Sequence, residues 1–266
     1  MTSVNTSWMA DLLAFDRHGD TFVAAQAAGS ADRDRLFGGQ IAAQALGAAG
    51  ATVDPDKRPQ SLHAYFIRAG RFATDVEFQV ERTRDGRSFD TRRVTAVQGD
   101  AAILEMIASF HRPEPAADWQ PSDPPSLEFS DTAPKVTAFK VAERFEIRTA
   151  AGDDTGDFAV PPYWVRTRDP IEDDPLIRAC TLAFVSDLGP VPAARPPGTR
   201  LDVPFGFAAS LDHSVWFHRP YLPAQWHRYE VRRVNNGDAR GLVVGSLFDE
   251  AGSLVASMAQ EALWRP

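Results

Sequence analysis

The segment SLDHSVWFHRP at positions 210–220 groups several side chains that do chemistry in enzymes. Asp212, His213 and Ser214 are adjacent, and His218 follows. Successive residues of a strand point to opposite faces, so Asp212 and Ser214 share one face and His213 takes the other. This geometry disfavours a Ser-His-Asp triad. His213 and His218 also face opposite ways, and no other cluster has metal-ligand spacing, so we expect no metal site.

Composition limits the classes of protein that can carry this segment. The chain has 266 residues, of which 44% are hydrophobic and 24% charged, as in soluble globular proteins. Its single cysteine, Cys180, excludes a disulfide framework and predicts a reduced, cytoplasmic setting. The N-terminus has no signal-peptide pattern, and no apolar run is long enough to predict a membrane span. A net charge of −8 argues against nucleic-acid binding.

A cluster of arginines interrupts this acidic balance. Two interpretations stay open: a solvated strand edge with a charged turn, or a patch for a phosphate-bearing ligand, which suits the forked donors of arginine. The cluster consists of Arg82, Arg84, Arg87, Arg92 and Arg93.

Two apolar segments have the pattern of core helices, against which the remaining elements would pack. Residues 38–50, GGQIAAQALGAAG, are small helix formers, and a close-fitting surface must surround them. Because Gly38 and Gly39 have no side chains, a ligand can approach the first backbone amides of this helix closely. Residues 172–189 open with acids and Pro175 and stop at Gly189, which are helix start and stop signals.

Strand patterns follow each helix in a similar order. Alternating residues joined by short turns predict an antiparallel meander in each half. The predicted strands are 61–68, 75–84, 89–98, 101–111, 144–149, 163–168, 210–220, 226–234, 240–249 and 253–266.

The two halves repeat one scheme of helix, strand, hairpin and hairpin. Both end in Arg-Pro, at 112–113 and 265–266. A repeat of this length predicts two like domains, each with a helix wrapped by a curved antiparallel sheet. We place them at 1–115 and 141–266, with the proline-rich stretch 116–140 as a linker.

Several blocks in this order resemble the acyl-CoA thioesterase II family. They are RLFGGQIAAQAL (35–46), SLHAYFIRAG (61–70), ERTRDGRSFDTRRV (81–94), ASFHRPEP (108–115), SLDHSVWFHRP (210–220) and LVASMAQEA (254–262). The resemblance implies an α+β double hotdog fold with two tandem hotdog domains. It also implies hydrolysis of acyl-CoA without a cofactor.

The resemblance further implies that an Asp, a Gln and a Thr or Ser hold the hydrolytic water. Carried over by position, the Asp is Asp212, as general base, and the Gln is Gln260. The third position falls on Val234, which has no hydroxyl, and the neighbouring Asn235 is the predicted polar substitute.

The substrate-binding residues follow from the same resemblance. Gly38 and Gly39 are expected to donate to the developing oxyanion and to face Asp212. His63 is expected to line the groove, and Arg87 to meet the phosphates of CoA. Ile107 is aligned with Gln260, which predicts that only one half retains the chemistry.

Two alternative functions remain beside the hydrolase. Val234 suggests a degenerate paralogue that binds acyl-CoA without efficient turnover. A hotdog enoyl-CoA hydratase would need a cooperating Asp-His pair, which adjacent positions on a strand disfavour. In each case the exposed backs of hotdog sheets predict a homodimer or larger homo-oligomer.

Overall fold

A computed structural model describes residues 6–26, 35–121, 143–149, 160–201 and 206–265. The helices are α1 (Trp8–Leu12), α2 (Gly38–Gly50), α3 (Pro175–Ser186) and α4 (Pro190–Ala193). The strands are β1 (Asp16–His18), β2 (Thr21–Ala24), β3 (Arg58–Phe66), β4 (Val76–Asp85), β5 (Phe89–Gln98), β6 (Ala101–His111), β7 (Phe145–Thr149), β8 (Tyr163–Thr167), β9 (Phe207–Ser210), β10 (Asp212–Phe217), β11 (His227–Gly237), β12 (Arg240–Asp249) and β13 (Leu254–Arg265).

Helix α2 is buried along almost its whole length, as its small residues predict. A Cβ on Gly39 would lie 2.6 Å from the Phe184 carbonyl oxygen, and one on Gly47 would lie 2.6 Å from a methyl carbon of Leu13. Glycine at these positions therefore allows α1 and α3 to pack directly against the α2 backbone.

Helix α3 begins as its sequence predicts. The Asp174 carboxylate accepts hydrogen bonds from the amides of Leu176 and Ile177, and Pro175 takes the first helical position. The helix ends earlier than Gly189, with Asp187 as the C-cap residue. Gly189 then adopts a φ of 103°, which reverses the chain into α4.

All thirteen strands belong to one antiparallel sheet that surrounds α2 and α3. Strands β3 and β10 pair at its centre and join the two halves, with Asp212 opposite Tyr65 and Val215 opposite Leu62. In each half two short strands precede the core helix. Four strands, β3–β6, follow it in the first half, and five, β9–β13, follow it in the second. The repeat predicted the core helices and the long strands, but it missed α1, α4, β1 and β2.

The strand pairing departs from regularity at Leu211, between β9 and β10. Ser210 lies opposite Ala262 of β13, whereas Ser214 lies opposite Ala259. Four steps along the chain thus match three along β13. This is a β-bulge, in which Leu211 and Asp212 both oppose Glu261, and it reverses which face the following side chains occupy.

Two further features complete the fold. The stretch Pro175–Ala193 is long and apolar enough to cross a membrane, but most of it is buried inside the protein, as the core helix of a folded domain is. The predicted linker 116–140 lies largely outside the described residues, so the domain boundaries at 115 and 141 stay predictions.

Candidate active site

Three polar side chains meet where the start of α2 faces the end of α3. The Asp187 carboxylate accepts from the Gly39 amide at 2.8 Å and from Gln260 Nε2 at 2.9 Å. Gln260 Nε2 also donates to Ser210 Oγ at 2.8 Å. Asp187 and Gln260 are buried, and Ser210 is half-buried. The arrangement is a buried carboxylate beside a partly accessible hydroxyl.

Two tyrosines fix the chain on either side of Asp187. Tyr229 donates its hydroxyl hydrogen to the Ser186 carbonyl oxygen, and Tyr163 donates to that of Leu188, each at 2.5 Å. The two tyrosines are cross-strand partners on β11 and β8, with their rings edge to face at 5.5 Å. Both are fully buried, so the backbone that presents Asp187 is held rigidly.

The environment of Asp187 makes it a basic carboxylate. Burial raises its pKa to about 6, against the hydrogen bonds from Gln260, Gly39 and Ser210, which lower it. Asp187 is also the C-cap residue of α3, so its carboxylate lies near the negative end of the helix, where the helix dipole disfavours an anion. A carboxylate with this pKa is ionised at neutral pH and still able to accept a proton.

Asp212 does not join this group, which corrects its predicted partnership with Gln260. On the β10–β13 ladder Ser214 pairs with Ala259, so the next position places His213 opposite Gln260 and turns Asp212 to the other face of the sheet. Its carboxylate accepts from the Glu261 amide at 2.7 Å. Burial also raises the pKa of Asp212. Unlike Asp187, however, Asp212 is only half-buried and is partly open to solvent.

Val234 and Asn235 are also apart from the site. The pairing of β11 with β12 shifts between Arg233 and Asn235, so Val234 is the bulged residue, and its side chain is 47% exposed. Asn235 is exposed too. The hydroxyl beside Gln260 belongs to Ser210, which replaces both residues as the third polar group.

The structure places the two predicted glycines at the site but not opposite Asp212. Gly39 donates to Asp187, and a Cβ on Gly38 would lie 2.8 Å from an Asp187 carboxylate oxygen. His63 lies on the other face of the sheet, where its ring bonds to Ser214 Oγ at 3.0 Å and contacts Trp216 edge to face. The prediction that His63 lines the groove is therefore corrected.

The arginine cluster divides into members with different surroundings. Arg92 is fully buried and donates to Thr52 and to backbone carbonyls, so it stabilises the fold. Arg82 pairs with Asp20, and Arg93 pairs with Glu105. Arg87 is exposed in the turn between β4 and β5, and its contact with CoA stays a prediction.

Among its described residues, the first half has no counterpart of the Asp187–Gln260–Ser210 group, for a reason different from the one predicted. Ile107 is 43% exposed, so it is not equivalent to the buried Gln260. The inward position beside it is Ala108, opposite the buried Arg92. An apolar methyl and a fully bonded guanidinium leave no free donor or acceptor for a water molecule at this position.

The sequence did not identify Asp187 or Ser210 as site residues, although the position of Asp187 was unusual. It is an acid at the C-terminal end of an apolar helix, where the helix dipole disfavours a negative charge, and such a placement indicates a functional role. Ser210 gave no such signal, because only the bulge at Leu211 separates its face from that of Asp212. Within the described ranges, no group of three or more His, Cys, Asp or Glu side chains is placed to hold a metal.

The fold and this site define the double hotdog class of thioesterase. Family models for the acyl-CoA thioesterase N-terminal and C-terminal domains match residues 27–111 and 121–264. The chain therefore belongs to the acyl-CoA thioesterase II family. The predictions of this family, of the double hotdog fold and of a thioester hydrolase are confirmed.

Individual relatives agree over most of the chain. Acyl-coenzyme A thioesterase 8 of Homo sapiens is 36% identical, covering 87% of this chain and 81% of the human protein. Acyl-CoA thioesterase 2 of Haemophilus influenzae is 33% identical, covering 87% and 88%. The crystal structure of the acyl-CoA thioesterase II TesB2 from Mycobacterium marinum superposes with a TM-score of 0.83 at 34% identity, covering 97% of this chain and 98% of that one.

Replacing Asp212 distinguishes the two carboxylates. We expect Asp212→Asn to keep kcat within about threefold of the wild-type value, because an amide oxygen can still accept from the Glu261 amide. The measurement is steady-state release of the CoA thiol. A loss of a hundredfold or more in a folded variant would return the catalytic role to Asp212.

Proposed function

We propose that the protein hydrolyses acyl-CoA to a free carboxylic acid and CoA, with Asp187 as the general base. The observation that supports this assignment is the buried Asp187 carboxylate, fixed by Gly39 and Gln260 beside the Ser210 hydroxyl. A water molecule there donates one hydrogen bond to the Asp187 carboxylate and the other to the hydroxyl oxygen of Ser210. Gln260 uses both of its amide hydrogens to hold these two partners at a fixed separation.

The reaction needs no covalent intermediate with the enzyme. As the water oxygen attacks the thioester carbonyl carbon, its proton passes to Asp187 and the carbonyl oxygen becomes an oxyanion. Collapse of the tetrahedral intermediate breaks the carbon–sulfur bond. The departing thiolate takes the proton from Asp187, which restores the carboxylate and leaves a carboxylic acid and the CoA thiol.

The oxyanion needs a donor, and the start of α2 supplies backbone amides beside Asp187. The Gly39 amide is engaged by Asp187, so we assign the role to the amide of Gly38, the first helical residue. An amide at this position has no carbonyl acceptor within its own helix, and the helix dipole favours the negative charge. The half-buried Gly38 is accessible to a substrate.

The geometry of the site does not support either of the two alternative functions. A binding protein without turnover was suggested by the missing hydroxyl at Val234, and Ser210 supplies that hydroxyl. A hydratase was considered for its need of a cooperating Asp-His pair, but Asp212 and His213 occupy opposite faces of the sheet. Water activation by a single carboxylate matches the arrangement around Asp187.

The proposal also includes the cellular location and the oligomeric state of the enzyme. The sequence predicts a cytoplasmic location and a homodimer or larger homo-oligomer. Arg87, exposed at the β4–β5 turn, remains the predicted contact for the phosphates of CoA.

The proposal is tested by hydrolysis of hexanoyl-CoA, palmitoyl-CoA and a short branched-chain acyl-CoA, followed by thiol release. Turnover of at least one of these substrates is expected. Saturable binding of all three without thiol release would favour the non-hydrolysing paralogue. Hydration of crotonyl-CoA, followed by loss of enoyl absorbance, would favour the hydratase.

The pKa of Asp187 sets the expected pH dependence. Since the base must be ionised, we expect kcat/KM to rise with pH, to reach half its maximum near pH 6 and to level off above pH 7. The profile is measured at fixed ionic strength, with Asp212→Asn as the control that keeps the same curve. An activity that stays level down to pH 4.5 would contradict the assigned base.

A further inference from the structure

His213 is a fully buried histidine that the reaction does not use. It points inward from β10 at the position next to the Ser214–Ala259 pair, which places it against Gln260 of β13, and its Nε2 lies 2.8 Å from Ser186 Oγ. Ser186 immediately precedes Asp187. The imidazole ring is thus packed between the residue that leads into the general base and the amide that holds it.

Two buried polar atoms between His213 and Gln260 lack partners. His213 Nδ1 and Gln260 Oε1 are both fully enclosed, and neither forms an ordinary hydrogen bond with the described residues. Gln260 Nε2 is occupied by Asp187 and Ser210 on the other side of the amide. An unsatisfied buried donor or acceptor is costly, so two such atoms on cross-strand neighbours call for an explanation.

We propose that His213 is a positioning residue, whose Nδ1–H hydrogen bonds to Gln260 Oε1 and thereby fixes the orientation of the catalytic amide. The expected effect of His213 on turnover rests on the proposed function, whereas the hydrogen bond itself does not. With the oxygen of the amide held by His213, Nε2 must point toward Asp187 and Ser210. The opposite orientation would place Oε1 against the Asp187 carboxylate, where two acceptors repel.

The tautomer of His213 and the orientation of Gln260 are coupled. With the proton on Nδ1, Nε2 accepts the Ser186 hydroxyl hydrogen, although that hydroxyl also lies 3.0 Å from the Ala183 carbonyl oxygen. With the proton on Nε2, a bare Nδ1 would face Gln260 Oε1. Burial lowers the pKa of His213 to about 4, and the Gln260 interaction opposes this shift, so the ring is neutral at working pH.

A matched pair of substitutions tests the effect on turnover. Asn carries an amide nitrogen close to the place of Nδ1, whereas Leu has the same shape without a donor. We expect His213→Leu to lower kcat by about 10- to 100-fold with little change in KM, and His213→Asn to recover most of that loss. In a Gln260→Ala background, His213→Leu should cause no further decrease, because the amide it positions is gone. Additive losses would indicate that His213 acts on something other than Gln260.

The second measurement is made on the wild-type protein and is independent of activity. Nitrogen-15 NMR of histidine-labelled protein at pH 7.5 distinguishes the two neutral tautomers, and with only six histidines each ring can be assigned by single substitution. We expect His213 to carry its proton on Nδ1. An Nε2–H tautomer would overturn the proposal even if acyl-CoA is hydrolysed. An Nδ1–H tautomer would support it even if the natural substrate were not an acyl-CoA.

Discussion

Asp187→Asn is expected to lower kcat by about 10³-fold while leaving the fold intact. General base catalysis contributes roughly 10²- to 10⁴-fold, and an amide cannot accept the proton of the water. The side-chain shape is unchanged, and the amide oxygen can still accept from the Gly39 amide. KM should change little, because Asp187 meets the water and not the acyl chain or CoA. Thiol release and circular dichroism are the measurements.

The same substitution is expected to change how the free energy of unfolding depends on pH. The pKa of Asp187 is about 6 in the fold and near its ordinary value of 3.8 in the unfolded chain, so the fold favours the protonated form. The stability from this group is full below pH 4 and is lost as pH rises through 6. The loss amounts to about 3 kcal/mol, since each pKa unit corresponds to about 1.4 kcal/mol.

Asparagine does not titrate, so Asp187→Asn removes this loss. We expect the free energy of unfolding of the variant, relative to wild type, to increase between pH 4.5 and pH 7.5. Urea unfolding at the two pH values measures it, with Asp212→Asn as the control. A variant with at least a tenth of wild-type kcat, or with the same relative stability at both pH values, would contradict the role and the burial assigned to Asp187.

The periodicity and internal repeat of the sequence predicted two like domains, each a helix wrapped by an antiparallel sheet, and the family resemblance identified this arrangement as a double hotdog. Both core helices and the long strands follow from local patterns, and small residues such as those of α2 predict close packing. Gln260, taken from the family resemblance, lies beside Asp187 and Ser210, and its role in the reaction stays a prediction. What periodicity cannot supply is the partner of each side chain across the sheet, since pairing joins residues distant in the chain.

The error over Asp212 has a specific structural cause. On a regular strand Ser210 and Asp212 would share one face, and either could reach Gln260. The bulge at Leu211 separates them, leaving Ser210 with Gln260 and turning Asp212 toward the Glu261 amide. A bulge depends on the register against β13, which no local pattern reveals.

Gly39→Ala is expected to damage both stability and turnover. A Cβ at this position would lie 2.6 Å from the Phe184 carbonyl oxygen and from a ring carbon of Phe37, and 3.0 Å from Asp187 Cβ. The first of these neighbours is backbone, which cannot rotate away. We expect α2 and α3 to separate slightly, at a net cost of about 1–3 kcal/mol even after the better helix propensity of alanine.

The separation acts directly on the catalytic geometry, because the Gly39 amide is the anchor of the Asp187 carboxylate. A displacement of about 1 Å is sufficient to lower kcat by about 10²-fold. Gly47→Ala is the matched control in the same helix, since its Cβ would meet only the end of the Leu13 side chain, which can move. Thermal unfolding and thiol release are measured on both variants. If Gly39→Ala retains wild-type kcat, or if Gly47→Ala loses as much, the contact between the start of α2 and the end of α3 does not set the position of the base.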